Sequence, residues 1–168
     1  MNLALLKQAQ WKQRRKVAEL SANGRVIITL EFIGRKVNVR LENRQLQIRK
    51  EGFWHPYLVM VEQNKIIASQ KQINFWAKKY EVQIGARYYY CKIKTGVLYN
   101  VTYFPRQSHH EIVSYRLNAF KWKPVVQFTL NETAAPADDA LLLFLLGYYS
   151  IKTAVQESAA VAAIVAAS

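Results

Sequence analysis

The last 31 residues, 138–168, constrain the fold of this chain more than any other segment. They open Asp138-Asp139-Ala140 and continue Leu141-Leu142-Leu143-Phe144-Leu145-Leu146-Gly147-Tyr148-Tyr149-Ser150-Ile151. A polar patch from Lys152 to Glu157 follows, then an Ala/Val/Ile tail. A helix that is apolar on every side must be enclosed, by lipid or by protein. Crossing a bilayer takes about 20 consecutive apolar residues. The uncharged runs here, 140–151 and 158–168, hold twelve and eleven. Any window of bilayer length therefore carries Lys152, Gln156 and Glu157 near its middle. Charges there cost about 2.5–3.5 kcal/mol each, against about 0.3–0.6 gained per Leu or Ile. Protein is the better enclosure, so no transmembrane span is expected.

The middle of the chain has a different period. Val26, Ile28, Leu30 and Phe32 alternate with Thr29 and Glu31; Val37, Val39 and Leu41 alternate with Lys36, Asn38, Arg40 and Glu42; Leu46 and Ile48 alternate with Gln45, Gln47 and Arg49. That is the pattern of half-buried strands. Further segments of this kind lie at 57–61, 66–70, 80–84, 87–94, 97–104, 111–117 and 125–130, with less regular ones at 73–76 and 120–123. Turn formers separate them, among them Gly34, Gly52, Asn64, Gly85, Gly96 and Pro105. Such short connections make neighbouring strands antiparallel, since parallel crossovers need a dozen or more residues. The expected fold class is mainly β (α+β). Its architecture is a closed antiparallel β-barrel of about ten to twelve strands around a central hydrophobic C-terminal helix. Closure removes the sheet edges, and the helix fills a bore too wide for the strand side chains.

Two domains are expected: a helical extension at 1–24 packed on or beside the barrel, and the barrel at 25–168, with its helix at about 138–167. Residues 1–22 read as a helix ended by Asn23-Gly24. Leu3, Leu6, Val17 and Leu20 would lie against a barrel end, or at a membrane interface beside the basic cluster. Pro136 precedes the terminal helix, with Asp138 or Asp139 as its N-cap.

In this arrangement the chain resembles the tubby C-terminal-like superfamily, which includes the tubby domain, the phospholipid scramblases and the LURP-one-related proteins. The resemblance covers about residues 25–168 and rests on short strands followed by the apolar helix at 140–151. Tyr57-Leu58-Val59-Met60-Val61-Glu62-Gln63-Asn64-Lys65-Ile66-Ile67-Ala68 looks like that superfamily's strand–turn–strand repeat, and 80–84 leading into 87–94 looks like another copy. The resemblance implies twelve antiparallel strands around a central helix. Tubby domains bind phosphoinositides through basic surface side chains, and Lys92-x-Lys94 and Lys121-x-Lys123 are analogous features here. Scramblases act at membranes with calcium; this chain has no Asp-x-Asp loop for calcium.

Charge points the same way. The net charge is +13, and residues 1–130 carry +16 against −3 for the remainder. Anionic partners are favoured: lipid headgroups, nucleic acid or an acidic protein. The anion-binding candidates are Lys36 and Arg40, Lys92 and Lys94, and Lys121 and Lys123; Arg35, Arg44, Arg49, Lys50, Lys78 and Lys79 lie in or near turns beside them. The leading function is non-catalytic binding of anionic phospholipid at a membrane surface. The alternatives are a nucleic-acid-binding β module, an enzyme of unassigned chemistry and a structural or assembly protein. With one cysteine and no secretory signal in 1–20, the expected location is cytoplasmic or peripheral at a membrane.

Catalytic chemistry finds little support. Cys91 shares a strand face with Tyr89 and Ile93 and is expected to be a buried, inert thiol. His109-His110 lacks the spacing of a zinc site, and His55 is isolated. No glycine-rich phosphate loop occurs, so neither cofactor nor metal is expected. Trp11, Trp54, Trp76, Trp122 and Tyr88-Tyr89-Tyr90 suit core or cross-strand packing, and otherwise the stacking of bases.

Overall fold

A computed structural model describes residues 3–118 and 125–167, with side chains as far as Glu157. The elements are α1 (Leu3–Lys7), β1 (Gln10–Arg14), β2 (Val17–Ala22), β3 (Arg25–Ile33), β4 (Lys36–Leu41), β5 (Arg44–Glu51), β6 (Tyr57–Glu62), β7 (Lys65–Asn74), β8 (Lys79–Ile84), β9 (Arg87–Lys94), β10 (Leu98–Pro105), β11 (Val113–Asn118), β12 (Gln127–Leu130) and α2 (Ala137–Ala167). The strands form one twelve-stranded antiparallel sheet in which spatial order equals chain order. No ladder joins β12 to β1 among the described residues, so the pairing is that of an open sheet rather than the expected closed barrel. Those two edge strands are also the shortest, at four and five residues, which limits the row of unpaired backbone groups they present. The chain divides into two compact units, Met1–Tyr90 and Cys91–Ser168.

In the first unit the two-residue period becomes burial. Ala18, Leu20 and Ala22 of β2, Ile28 and Leu30 of β3, Val37, Val39 and Leu41 of β4, and Leu46 and Ile48 of β5 are buried, while the residues between them are more exposed. Register follows: Leu30 pairs Val39, and Val39 pairs Leu46. A one-residue slip would turn this whole set outward, which is why the apolar face specifies the pairing. In β6 both faces are covered, and Leu58 to Val61 are all buried.

The helix expected over 1–22 is confined to Leu3–Lys7; Gln10–Arg14 and Val17–Ala22 are strands in the sheet, not an extension from it. Leu3, Leu6, Val17 and Leu20 mimic a helical stripe, but the buried face of β2 is Ala18-x-Leu20-x-Ala22. Asn23 and Gly24 take φ of 50° and 75°, the left-handed pair of a two-residue hairpin turn. The same dipeptide signals either a helix end or a hairpin, and here it joins β2 to β3. The strand considered at 73–76 is the end of β7 and a turn, and that at 120–123 lies outside the described residues.

The second unit is built on α2. Every residue from Asp139 to Ile151 is buried, as an all-round apolar helix requires. In this unit Phe128 of β12 meets Phe144 at 4.9 Å between ring centroids, and the helix packs against β10 and β11. Gly147 explains their close approach: a Cβ there would lie 2.6 Å from the Tyr115 ring and 3.2 Å from that of Tyr103. Tyr115 packs against Phe144 and Phe128, with centroids 5.4 and 5.8 Å away, and its hydroxyl donates to the Phe144 carbonyl at 2.9 Å. The Tyr103 hydroxyl meets Ser150 Oγ at 3.4 Å. The helix begins earlier than expected, with Ala140 N donating to the Pro136 carbonyl, so Asp138 and Asp139 occupy its first turn instead of capping it. Two carboxylates there still oppose the positive end of the helix dipole.

Candidate functional site

Strict chain-order pairing has a geometric result: in an antiparallel meander, alternate turns lie at the same end of the sheet. Within the first unit the β1–β2, β3–β4, β5–β6 and β7–β8 connections share one end, and β2–β3, β4–β5, β6–β7 and β8–β9 share the other. Successive connections at one end stand two strand spacings apart, about 10 Å. The two ends differ sharply in charge. Segments 14–17, 33–36, 49–57 and 74–79 hold nine Lys and Arg against one acid, Glu51. Segments 22–25, 41–44, 62–65 and 84–87 hold four and two.

The basic end brings Arg14, Arg15 and Lys16 into line with Arg35 and Lys36, then Arg49 and Lys50, then Lys78 and Lys79. Its one carboxylate is engaged: Arg49 Nε donates to Glu51 at 2.9 Å, and the Tyr57 hydroxyl donates to it at 3.2 Å. That hydrogen bond raises the Tyr57 pKa. Lys79 Nζ lies 3.9 Å from the Tyr90 ring centroid and Lys71 Nζ 5.1 Å from that of Tyr57, so aromatic faces steady two cations of this region.

Between these cations, two hairpins present aromatic pairs to solvent. Phe53 and Trp54 are 90% and 84% exposed, and Phe75 and Trp76 are 73% and 92% exposed. Each pair makes an edge-to-face contact, with centroids 5.3 and 5.8 Å apart. The turns that carry them are shaped. Gly52, at φ 82°, leaves only 2.7 Å between a would-be Cβ and the His55 carbonyl oxygen. Asn74 Oδ1 accepts from Ala77 N at 2.8 Å, and the Phe75 carbonyl accepts from Lys78 N. A register shift between Gln72 and Asn74 bends the strand just before that tip.

These aromatics correct the expectation of core packing for Trp54 and Trp76; Trp122 lies outside the described residues. A signal existed in the sequence, since Gly52 and Pro56 bracket one Phe-Trp pair and Asn74 precedes the other. Tyr89 is buried as expected, whereas Tyr88 is exposed.

The six anion-binding candidates fare differently. Lys36 is exposed at the basic end, opposite Arg49 in the ladder. Arg40 shares its strand face, four residues and about 13 Å along, but lies 3.7 Å from Glu31. Lys92 and Lys94 are exposed on one face of β9, Lys92 lying 5.6 Å from the Phe104 ring centroid. Lys121 and Lys123 are outside the described residues. Arg44 belongs to the opposite end, where its guanidinium grips Glu62 at 2.8 and 3.0 Å. That bidentate bond holds the Glu62 carboxyl below its ordinary pKa.

Cys91 is fully buried, and desolvation pushes its thiol up to about 12 despite a hydrogen bond with Tyr103. A thiol so placed is not a nucleophile at neutral pH. His55, His109 and His110 are exposed. Among the described residues no three of His, Cys, Asp and Glu gather as a metal-binding group, and no helix is long and apolar enough to cross a membrane. Burial lowers the Lys152 pKa and raises those of Tyr103, Tyr148 and Tyr149. No protein-family model matches the chain, and no curated protein or solved structure matches it either.

Proposed function

We propose that this protein is a non-catalytic binding module of tubby-like fold, whose strands surround α2 and whose basic sheet end holds anionic phospholipid headgroups at a membrane surface. Burial of α2 at every position from Asp139 to Ile151 supports enclosure of that helix by protein. The observation that carries the binding function is the nine-to-one excess of cations over acids at one end of the first unit. Cations beside an anionic leaflet contribute about 1 kcal/mol each, and their charge-assisted hydrogen bonds to phosphate add geometric preference. Lys36 belongs to this set; Arg40, beside Glu31, contributes less. Lys92 and Lys94 offer a second, smaller cation pair on β9. The outer face of β3 to β5 carries Thr29, Glu31, Asn38, Gln47 and Arg49 rather than open aromatic rings, so it is no platform for stacked bases.

Vesicle co-sedimentation tests the proposal. Binding should rise with the phosphatidylserine fraction and fall with salt, since screening shortens the reach of exposed charge. Combined Lys16→Glu, Arg35→Glu and Lys36→Glu should weaken it by at least about a hundredfold. Lys65→Glu with Arg25→Glu, at the opposite end, should weaken it far less. Equal binding to neutral phosphatidylcholine vesicles overturns the reading. Tighter binding to single-stranded RNA than to anionic vesicles would replace it with the nucleic-acid reading.

A further inference from the structure

We infer that the two Phe-Trp tips, Phe53-Trp54 and Phe75-Trp76, are insertion anchors that enter the interfacial layer of the bilayer while the surrounding cations hold its headgroups. The inference rests on the membrane reading above and specifies the partner as a lipid bilayer, not a soluble anion. Four large aromatic side chains, each at least 73% exposed, are a standing cost in water unless something covers them. Tryptophan prefers the headgroup level of a bilayer, where its ring is half in apolar surroundings and its N–H remains solvated.

Three observations favour lipid over a protein partner. The aromatics stand on two separate turns rather than on one continuous face, and those turns are about 10 Å apart at the same end of the sheet. Standing at one end of the sheet, the two tips can meet a single flat surface together with the cations around them. Cations flank both tips: Arg49 and Lys50 precede Phe53, and Lys78 and Lys79 follow Trp76. This aromatic-plus-basic composition is complementary to an anionic interface. Finally, both turns are internally braced, by the bonds of Arg49 and Tyr57 to Glu51 at one and by the Asn74 side chain at the other, so the backbones that carry the rings are shaped before contact. A pre-shaped backbone loses less entropy on binding.

The division of labour is physical. Cations act over a Debye length and set recruitment; inserted rings act only in contact and set residence. Tryptophan fluorescence with vesicles of phosphatidylcholine and phosphatidylserine, with bromine on the acyl chains, reads insertion directly. Brominated chains should quench the wild-type protein, and most of that quenching should vanish in Trp54→Phe combined with Trp76→Phe. Replacing all four tip aromatics by Ser should leave the thermal midpoint in place and low-salt recruitment detectable, while weakening overall binding by about tenfold or more per tip. Vesicle binding without quenching by brominated chains overturns insertion and leaves the electrostatic reading standing. Absence of vesicle binding at any salt removes both. Self-association that the Ser variant abolishes, in sedimentation velocity without lipid, would assign the tips to a second copy of the chain and overturn insertion.

Discussion

Two aromatic groups in this protein use the same residue types to opposite ends. Around α2, Tyr115, Phe128, Phe144 and Tyr148 bring rings to within 4.9 to 6.3 Å, and the Tyr103 and Tyr115 hydroxyls reach Ser150 Oγ and the Phe144 carbonyl. At the basic end of the first unit, Phe53-Trp54 and Phe75-Trp76 contact each other edge to face and otherwise look out on water. The difference lies in their supports. The first group stands on strand and helix faces whose period places every ring toward a neighbour. The second stands on turns, where the backbone reverses and has no second layer to meet. Aromatic content therefore does not distinguish a core from a contact surface; the element that carries the ring does.

The comparison can be broken by mutation. The largest effect is expected at Tyr115→Ala, which removes the ring contacts with Phe144 and Phe128 and the hydrogen bond to the Phe144 carbonyl; a loss of about 3–5 kcal/mol is expected in urea unfolding. Gly147→Ala should cost about 1–3 kcal/mol, because its Cβ cannot coexist with the Tyr115 ring in place. At the tips, Trp54→Ser or Trp76→Ser should change stability by no more than about 0.5 kcal/mol, since both rings are largely exposed. Tip variants that unfold as readily as Tyr115→Ala would show that these rings are structural, and the contrast would fail.

Much of the architecture was legible because burial follows period. Val37, Val39 and Leu41 announce β4, and the expected segment 87–94 coincides with β9. The all-round burial of 140–151 follows from its composition alone. What was misread has specific causes. β1 buries no residue of its own, so Gln10–Arg14 has no two-residue apolar rhythm to detect. The buried face of β2 rests on alanines flanking Leu20, too small to outweigh a misleading three-residue spacing. For the site, Lys36 was legible from alternation, but the Glu31 beside Arg40 emerges only once the β3–β4 pairing is known. The collection of Arg15, Arg35, Lys50 and Lys78 at one end was equally hidden, because these residues are scattered along the chain and meet only through sheet topology. Trp54 and Trp76 were misassigned because hydrophobicity spoke for the interior more loudly than their turn neighbours spoke against it.

The unbroken strand order bears on how the molecule assembles. Each strand's partner is the one just before it, so the sheet can grow by zippering, with loops of a few residues to close and little entropy lost at each step. Proteins dominated by such near-neighbour pairings fold faster than those that must bring remote segments together. The wider reaches in the second unit belong to α2, whose Phe144 and Ser150 meet strand residues 29 and 47 positions earlier. Seating that rod, rather than ordering the strands, is where a slow phase in refolding is expected to arise.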